Sequence, residues 1–214
     1  SGVEYQPNGR VIWSPHSQHT LWGAVSRAVR LPSRIERDGR ANVTATSGIP
    51  FPTVVSIRNN EKFKPEEVLA YELGYRSVPL STVSIDIATF YNVYRHLLTT
   101  ESQPPLLEAT PSPTHLVIPN QFQNRMNGNS YGVEIVTKWN VTQDWSLTGN
   151  YTWHRLRLRP DASSLNTTAS NATGNDPKHQ FKIRSTYDLP HNLEFDSGVY
   201  FVSRLPNLGV QSYT

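Results

Sequence analysis

The sequence predicts an all-β protein, a stretch of about eight strands from an antiparallel up-and-down transmembrane β-barrel. Three observations carry this. Apolar and polar residues alternate with a period of two through most of the 214 residues. Short turns and long connections alternate along the chain, and Tyr and Trp flank the strand ends on the apolar parity.

Bulk composition leaves that class open and closes others. With 36% hydrophobic residues and a mean hydropathy of −0.50, the chain has no run of about 20 apolar residues that could cross a bilayer as a helix. Barrel strands spend only alternate residues on lipid, so low hydropathy does not count against them. The net charge of +3 comes from 20 basic and 17 acidic residues without a basic run, so no nucleic-acid partner is expected. The chain has no cysteine, which excludes disulfides and thiolate metal sites. The opening "SGVEYQPNGR" has neither the charged nor the apolar region of a signal peptide, so that signal has been removed or the chain is an internal fragment.

Taken in order, the first strand starts near Arg10, and the second, Thr20 to Arg30, is less regular because Arg27 shares a face with Leu21, Val25 and Val29. Glu67 to Arg76 sets Leu69, Tyr71, Leu73 and Tyr75 against Ala70, Glu72, Gly74 and Arg76. The stretch "STVSIDIATFYNVY" (81–94) places Val83, Ile85, Ile87, Thr89, Tyr91 and Val93 on one face and Asp86 and Asn92 on the other. At a tilt of about 45° a strand needs about 9–11 residues to cross a bilayer, so this one crosses with its outer end clear. "HLVIPNQFQN" (115–124) taken as a separate strand would put a short turn at the wrong end; His115 to Trp139 is therefore one long bent strand, with "RMNGN" a kink or bulge in its outer half. Trp145 to His154, His179 to Leu189 and Leu193 to Val202 follow, and a ninth strand starts near Gln211. The short links at 15–19, 77–81, 140–144 and 188–192 are rich in turn formers, whereas long links run over 31–65, 95–113 and 156–178. All short turns then lie at one end of the sheet and all long loops at the other.

Tyr75, Trp139, Trp145 and Tyr187 flank the short turns on the apolar face, and Tyr91 and Trp153 sit on it near the long loops, as the two aromatic girdles of a membrane barrel require. The opposite face carries Glu72, Arg76, Asp86, Glu134, Lys138, Lys182, Arg184, Glu194 and Asp196, which are assigned to the lumen. Buried charges need partners, which a small barrel supplies across its interior and a wide one supplies as water or a plug. The histidines, including His16 and His19, show no metal-ligand spacing, and there is no nucleophile motif or phosphate loop, so neither an enzyme, a metal nor a cofactor is expected. Five Asn-x-Ser/Thr triplets, at Asn42, Asn140, Asn150, Asn166 and Asn171, would accept glycans in a eukaryotic secreted protein, and "LNTTASNATGND" (165–176) reads as a flexible polar loop.

"LWGAVSRAVRLPSRIERD" (21–38) resembles the barrel of TonB-dependent outer-membrane receptors. "PEEVLAYELGYRS" (65–77), "VSIDIATFYNVY" (83–94), "NSYGVEIVTKWNVTQDWSLTGNYTW" (129–153) and "DPKHQFKIRSTYDLP" (176–190) resemble further segments of that family in its order. The resemblance implies a barrel of about 22 strands closed by an N-terminal plug. It implies a Gram-negative outer membrane and TonB-energised import of a scarce nutrient such as a ferric siderophore or cobalamin. Residues 1–214 then form part of the barrel domain, without the plug, the TonB box or the closing strand. The implied partners are the lipid bilayer, the missing plug, the TonB complex and the ligand. Arg30, Arg34 and Arg37 in the first long loop are the candidates to meet an anionic chelate, and Glu72, Arg76, Glu134 and Lys138 to meet the plug. Two other readings remain: a complete eight-stranded barrel with a structural or adhesion role, and a soluble secreted β-sandwich that binds glycans or proteins.

Overall fold

In the computed structural model, which describes residues 2–48, 50–166 and 168–214, most of the chain is strand. The elements are β1 (Asn8–His16), β2 (His19–Arg30), helix α1 (Arg34–Asp38), β3 (Arg40–Thr46), β4 (Thr53–Arg58), β5 (Glu66–Leu80), β6 (Val83–Ser102), β7 (Leu106–Glu108), β8 (His115–Asn140), β9 (Trp145–Pro160), β10 (His179–Leu189) and β11 (Leu193–Val202). Eight of them pair in the order β1-β2-β5-β6-β8-β9-β10-β11, each antiparallel to the next, while β3, β4 and β7 stand off this path. His115 to Asn140 is one strand, as the parity argument requires. The expected ninth strand reduces to a single bridge between Val202 and Tyr213.

Cross-strand register shows that the alternation is one property of the whole sheet. Thr20 faces Arg76, Arg76 faces Asp86, Asp86 faces Val136, Val136 faces Asn150, Asn150 faces Lys182 and Lys182 faces Tyr200. Directly opposed residues share a face, so even-numbered positions make a single polar surface across these strands and odd-numbered positions a single apolar one. The apolar surface is uncovered: Leu73 is 60% exposed, Ile183 50%, Phe195 59% and Val199 54%. Among the described residues no second sheet packs on it, and β1 and β11 do not pair with each other. A sandwich would cover this face, and a complete eight-stranded barrel would join those two edges.

Ile87 lies midway between Val83 and Tyr91 on this surface and faces Tyr75 and Ile135. Ile87→Arg in the full-length protein is expected to lower barrel stability by about 2–4 kcal/mol in a bilayer, whereas Asn150→Arg on the polar surface is expected to change it little. Urea titration in lipid vesicles measures both, and equal effects would remove the assignment of faces.

The bend in β8 has a structural partner in β6. Between Tyr94 and Leu97, β6 spends three residues where β8 spends two; between Leu97 and Thr99, β8 spends the extra one. His96 takes a left-handed conformation (φ 58°) in the first bulge. The irregularity in β8 therefore falls between Gln123 and Met126, at the leading edge of "RMNGN" rather than at Gly128. Each extra residue reverses the parity of its strand. Above the bulges Thr99, Glu101, His115, Val117 and Pro119 turn onto the polar side, where loops bury them.

What core exists lies here, above the bulges: Phe63 is 5% exposed, Val117 0% and Met126 8%. The β2–β5 connection folds as α1 followed by the β3–β4 hairpin, and β4 pairs in parallel with β8 from Thr53/Leu116 to Arg58/Gln121. It fills the edge of β8 beyond the end of β9, whose last pair is Pro160 with Met126. β7 continues on the β6 side of β8. The long connections thus build a small cap at one end of the sheet, while all four short turns lie at the other.

Candidate functional site

The polar surface and this cap are the parts with chemistry to offer. On the surface, Arg76 and Asp86 are directly opposed and form an ion pair at 2.5 Å, and Arg184 and Asp196 form another at 2.5 Å, to which Thr186 Oγ1 donates at 2.6 Å. Glu72, Glu134, Lys138 and Lys182 occupy the same surface, with no ion pair among the described residues. Lys138 borders an open cavity of about 560 Å³ at the short-turn end, together with Asp144 and Asp188.

Among the aromatic rings on this polar surface, those of Trp22 and Phe90 lie against glycines, a packing that the alternation alone does not show. Trp22 faces Gly74 across β2 and β5, and a Cβ on Gly74 would come within 2.2 Å of its ring. Phe90 faces Gly132, where a Cβ would come within 2.6 Å of the Phe90 ring and 2.4 Å of the Trp153 carbonyl oxygen. The Arg10 guanidinium stacks over Trp22 at 5.2 Å, and His154 packs against Phe90 at 6.0 Å. The rings lie flat because glycine leaves the space. The available signal was a glycine on the polar parity of one strand and an aromatic on the polar parity of the next, but it needs the register to be read.

On the apolar surface Tyr91 stacks with Tyr131 at 6.5 Å, and Tyr131 meets Trp153 edge to face at 5.6 Å. At the opposite end Trp145 faces Tyr187, its Nε1 donates to Ser185 Oγ at 3.0 Å, and Tyr75 Oη lies 2.7 Å from His19 Nδ1. Trp139 lies on the same surface, facing Val83 and Leu147. The interval from Tyr131 to Trp139, like that from Trp145 to Trp153, is about 27 Å along the strand, or about 20 Å in height at a tilt of about 40–45°, close to the apolar band of a barrel.

Three carboxylates lash down the cap. Glu36, in α1, closes a capping box with Ser33: the Ser33 backbone N–H donates to Glu36 Oε2 at 2.6 Å and the Glu36 N–H to Ser33 Oγ. Arg30 grips Glu36 with two nitrogens, at 2.9 and 3.1 Å, and Glu66 with its third at 2.5 Å. The alternation reading takes 31–65 as a long link and misses this helix, for which "S-x-x-E" at 33–36 is the available signal. Glu108 takes both nitrogens of Arg40 and one of Arg58 at 2.6 Å. Glu101, 0% exposed, accepts from Ser164 Oγ at 2.7 Å and from the Leu165 N–H at 2.6 Å, tying β6 to the β9–β10 loop.

Of the three loop arginines singled out, Arg30 is thus committed to holding α1, Arg34 is exposed, and Arg37 is half-buried with its Nε unpartnered among the described residues. An open, amide-rich cavity of about 560 Å³ is bordered by Asn59, Asn60, Glu61, Lys62, Gln121 and Gln123, and Asn59 joins it to the Arg37 backbone. Its walls are fixed: Asn60 Nδ2 donates to the Phe122 carbonyl at 2.9 Å, Gln121 Nε2 to the Asn59 carbonyl at 3.0 Å, and Asn59 Nδ2 to the Arg37 carbonyl at 2.8 Å.

The cap should loosen in acid. Burial alone would raise the Glu36 carboxyl, but hydrogen bonds from Arg30 and Ser33 outweigh it and hold the group below its usual value of 4.5; Arg40, then Arg58, do the same for Glu108. A carboxylate depressed on folding contributes stability that is complete above the unfolded value and is lost as pH falls through the folded one. Amide exchange across 31–65, corrected for the intrinsic pH dependence, is expected to be unchanged from neutrality to about pH 5 and faster below about pH 4. Flat protection down to pH 3 would show that these carboxylates do not hold the cap.

The sequence matches the family described as TonB dependent receptor-like, beta-barrel over residues 1–213. No curated protein matches it significantly. Among solved structures it is similar to the siderophore receptor PirA from Acinetobacter baumannii (TM-score 0.72, 17% identity, 95% of this chain and 29% of that one). It is also similar to a ferric enterobactin receptor PfeA mutant from Pseudomonas aeruginosa (0.69, 14%, 94% and 28%). A third similar structure is the FrpB iron transporter from Neisseria meningitidis (0.64, 16%, 92% and 26%). The chain therefore spans less than a third of the length of these structures, and at such identities the likeness is one of fold.

Proposed function

Since this chain belongs to the TonB-dependent receptor β-barrel family, we propose that the protein containing it is an outer-membrane receptor that imports a ferric siderophore, with energy relayed through TonB. The observation that carries this reading is the pairing of an uncovered apolar surface, bounded by aromatic rows, with a polar surface capped at one end by pinned loops. The apolar surface needs lipid, the polar one a wet or plugged lumen, and the cap is where a ligand from outside would land. Because similar structures include siderophore and iron receptors, a ferric chelate rather than cobalamin is the proposed cargo.

Within that reading the amide-rich cavity with Arg34 and Arg37 receives an anionic chelate, and Arg30 holds the helix that presents them. Glu72, Glu134, Lys138 and Lys182 face a plug contributed by another part of the protein. The pairs Arg76–Asp86 and Arg184–Asp196 line the lumen as neutral units. With the two girdles at the two interfaces, β5, β6, β8, β9 and β10 cross the bilayer.

The test is uptake of radiolabelled ferric siderophores by cells that carry or lack the full-length gene, with and without active TonB. Uptake that requires both supports the proposal, and Arg34→Ala/Arg37→Ala should weaken binding about tenfold or more. Growth on, and accumulation of, every ferric chelate tested without dependence on the gene would sink it.

A further inference from the structure

The apolar surface changes character abruptly at its long-loop end. β9 continues past Trp153 as "HRLRLRP", and its odd positions, Arg155, Arg157 and Arg159, are all exposed on the face that carries Trp153 and Tyr131. They face Tyr131, Asn129 and Asn127 across β8. Arg157 lies over the Tyr131 ring at 5.6 Å, and among the described residues none of the three has a carboxylate within ion-pair distance. Every other arginine described on the outer third of the sheet except Arg95 and Arg125 has such a partner: Arg27 pairs with Glu67, and Arg30, Arg40 and Arg58 pair as above. Beyond Trp153 the edge of β9 has lost β10, which starts opposite it at His179, and an open cavity of about 330 Å³ lies there, bordered by Arg155, Arg157, Lys178, His154 and Asp176.

Height and chemistry identify what the arginines meet. At about 3.3 Å per residue and a tilt of about 45°, Arg155 and Arg157 stand about 5 and 9 Å above Trp153. Trp marks the boundary of the hydrocarbon, and the polar layer above it is about 5–8 Å thick on each side, so Arg155 lies within that layer, Arg157 lies at its outer limit with its guanidinium turned back over the Tyr131 ring, and Arg159, about 14 Å up, stands above it. Cations that face outward at that level, and not into the lumen, have anionic lipid as their natural counter-ion. Arg presents a planar fork that takes a phosphate through two parallel N–H···O bonds, and residues two apart on one strand face put successive forks about 6–7 Å apart.

We propose that Arg155 and Arg157 form an outward-facing site for the phosphate groups of anionic lipid headgroups, extended above by Arg159 and at its edge by Lys178. The site rests on the outer-membrane placement given above, and it adds a lipid contact on the outside of the wall where the ligand contact is on the inside. Asp176, the one carboxylate bordering the cavity, limits it to that side and disfavours a second phosphate there.

The test uses the full-length protein in nanodiscs that mix phosphatidic acid with phosphatidylcholine, with retained lipids counted by native mass spectrometry after detergent release. The wild type should retain phosphatidic acid preferentially. Arg155→Gln/Arg157→Gln/Arg159→Gln, all exposed positions, should insert normally and lose that preference on the order of tenfold. The matching Lys triple should fall between, because it keeps charge without the fork. Inorganic phosphate at millimolar concentration should not displace the lipid, since the site uses a phosphate held at the membrane surface. An equal preference in wild type and Gln triple, no preference in the wild type, or displacement by free phosphate overturns the proposal. Failure of the wild type to enter nanodiscs as a folded barrel would instead overturn the membrane placement beneath it.

Discussion

Gly132→Val is expected to be among the most damaging single changes in this stretch of barrel, lowering stability by about 3 kcal/mol or more and preventing assembly in cells. A side chain at this position has nowhere to go: its Cβ would sit 2.4 Å from the Trp153 carbonyl oxygen on one neighbour and 2.6 Å from the Phe90 ring on the other. The ring can move and the carbonyl cannot, since β8 and β9 are paired in unbroken register from Met126 to Asn140. Phe90→Ala should therefore rescue Gly132→Val only in part. Gly149 supplies the control, because a Cβ there meets nothing within 4 Å; Gly149→Val should stay within about 0.5 kcal/mol of the wild type. Heat-modifiable migration of the full-length protein on gels reports whether the barrel closes, and urea midpoints report by how much it is weakened. If Gly132→Val migrates and titrates like Gly149→Val, the packing of Phe90 on Gly132 is not a real constraint.

Glu101→Ala should act locally where Gly132→Val acts globally. Its carboxylate is wholly buried and answers the Ser164 hydroxyl and the Leu165 N–H, while burial, which alone would raise its pKa, is outweighed by hydrogen bonds from Thr99, Ser164 and Leu165 so that it stays ionised. Removing it leaves the part-buried Ser164 hydroxyl and Leu165 N–H without their acceptor, at a cost of about 2 kcal/mol, so the β9–β10 loop should open about thirtyfold more often. Protease nicking within 161–178 of the full-length protein measures this directly. Glu101→Gln, which keeps one acceptor oxygen, should fall between the two. An unchanged nicking rate in Glu101→Ala would mean that the loop is held elsewhere.

The strands were legible because a one-sided environment writes itself into every second residue. Parity was enough to fuse His115 to Trp139 into one strand, to place the short turns at one end and to put Glu72, Arg76, Asp86, Glu134, Lys138, Lys182 and Arg184 on one surface. It failed where the period broke. The reading ended β6 near Tyr94 and β9 near His154, whereas the strands run to Ser102 and Pro160, because a bulge at His96 reverses the parity of one and Arg155 to Arg159 extend the other out of the apolar band. The cap was opaque for a different reason. β4 pairs in parallel with a strand that begins more than fifty residues further along the chain, and Glu101 closes on a loop beyond three further strands. No local signal announces such partners.

For this protein the sequence by itself determined the class of fold, the two faces, the ends at which turns and loops lie, and the family, since each is an average over many residues exposed to the same solvent on the same side. Only the tertiary structure decided which charges are spent and which are free. Arg30, Arg34 and Arg37 look alike in a string of residues, yet Arg30 alone is folded back onto Glu36 and Glu66. Arg155, Arg157 and Arg159 share the face of Trp153 by register with β8, and their strand outlasts its neighbour β10. Pairing of charges is a matter of distances of a few ångströms between distant segments, and it is the register of the sheet that sets those distances.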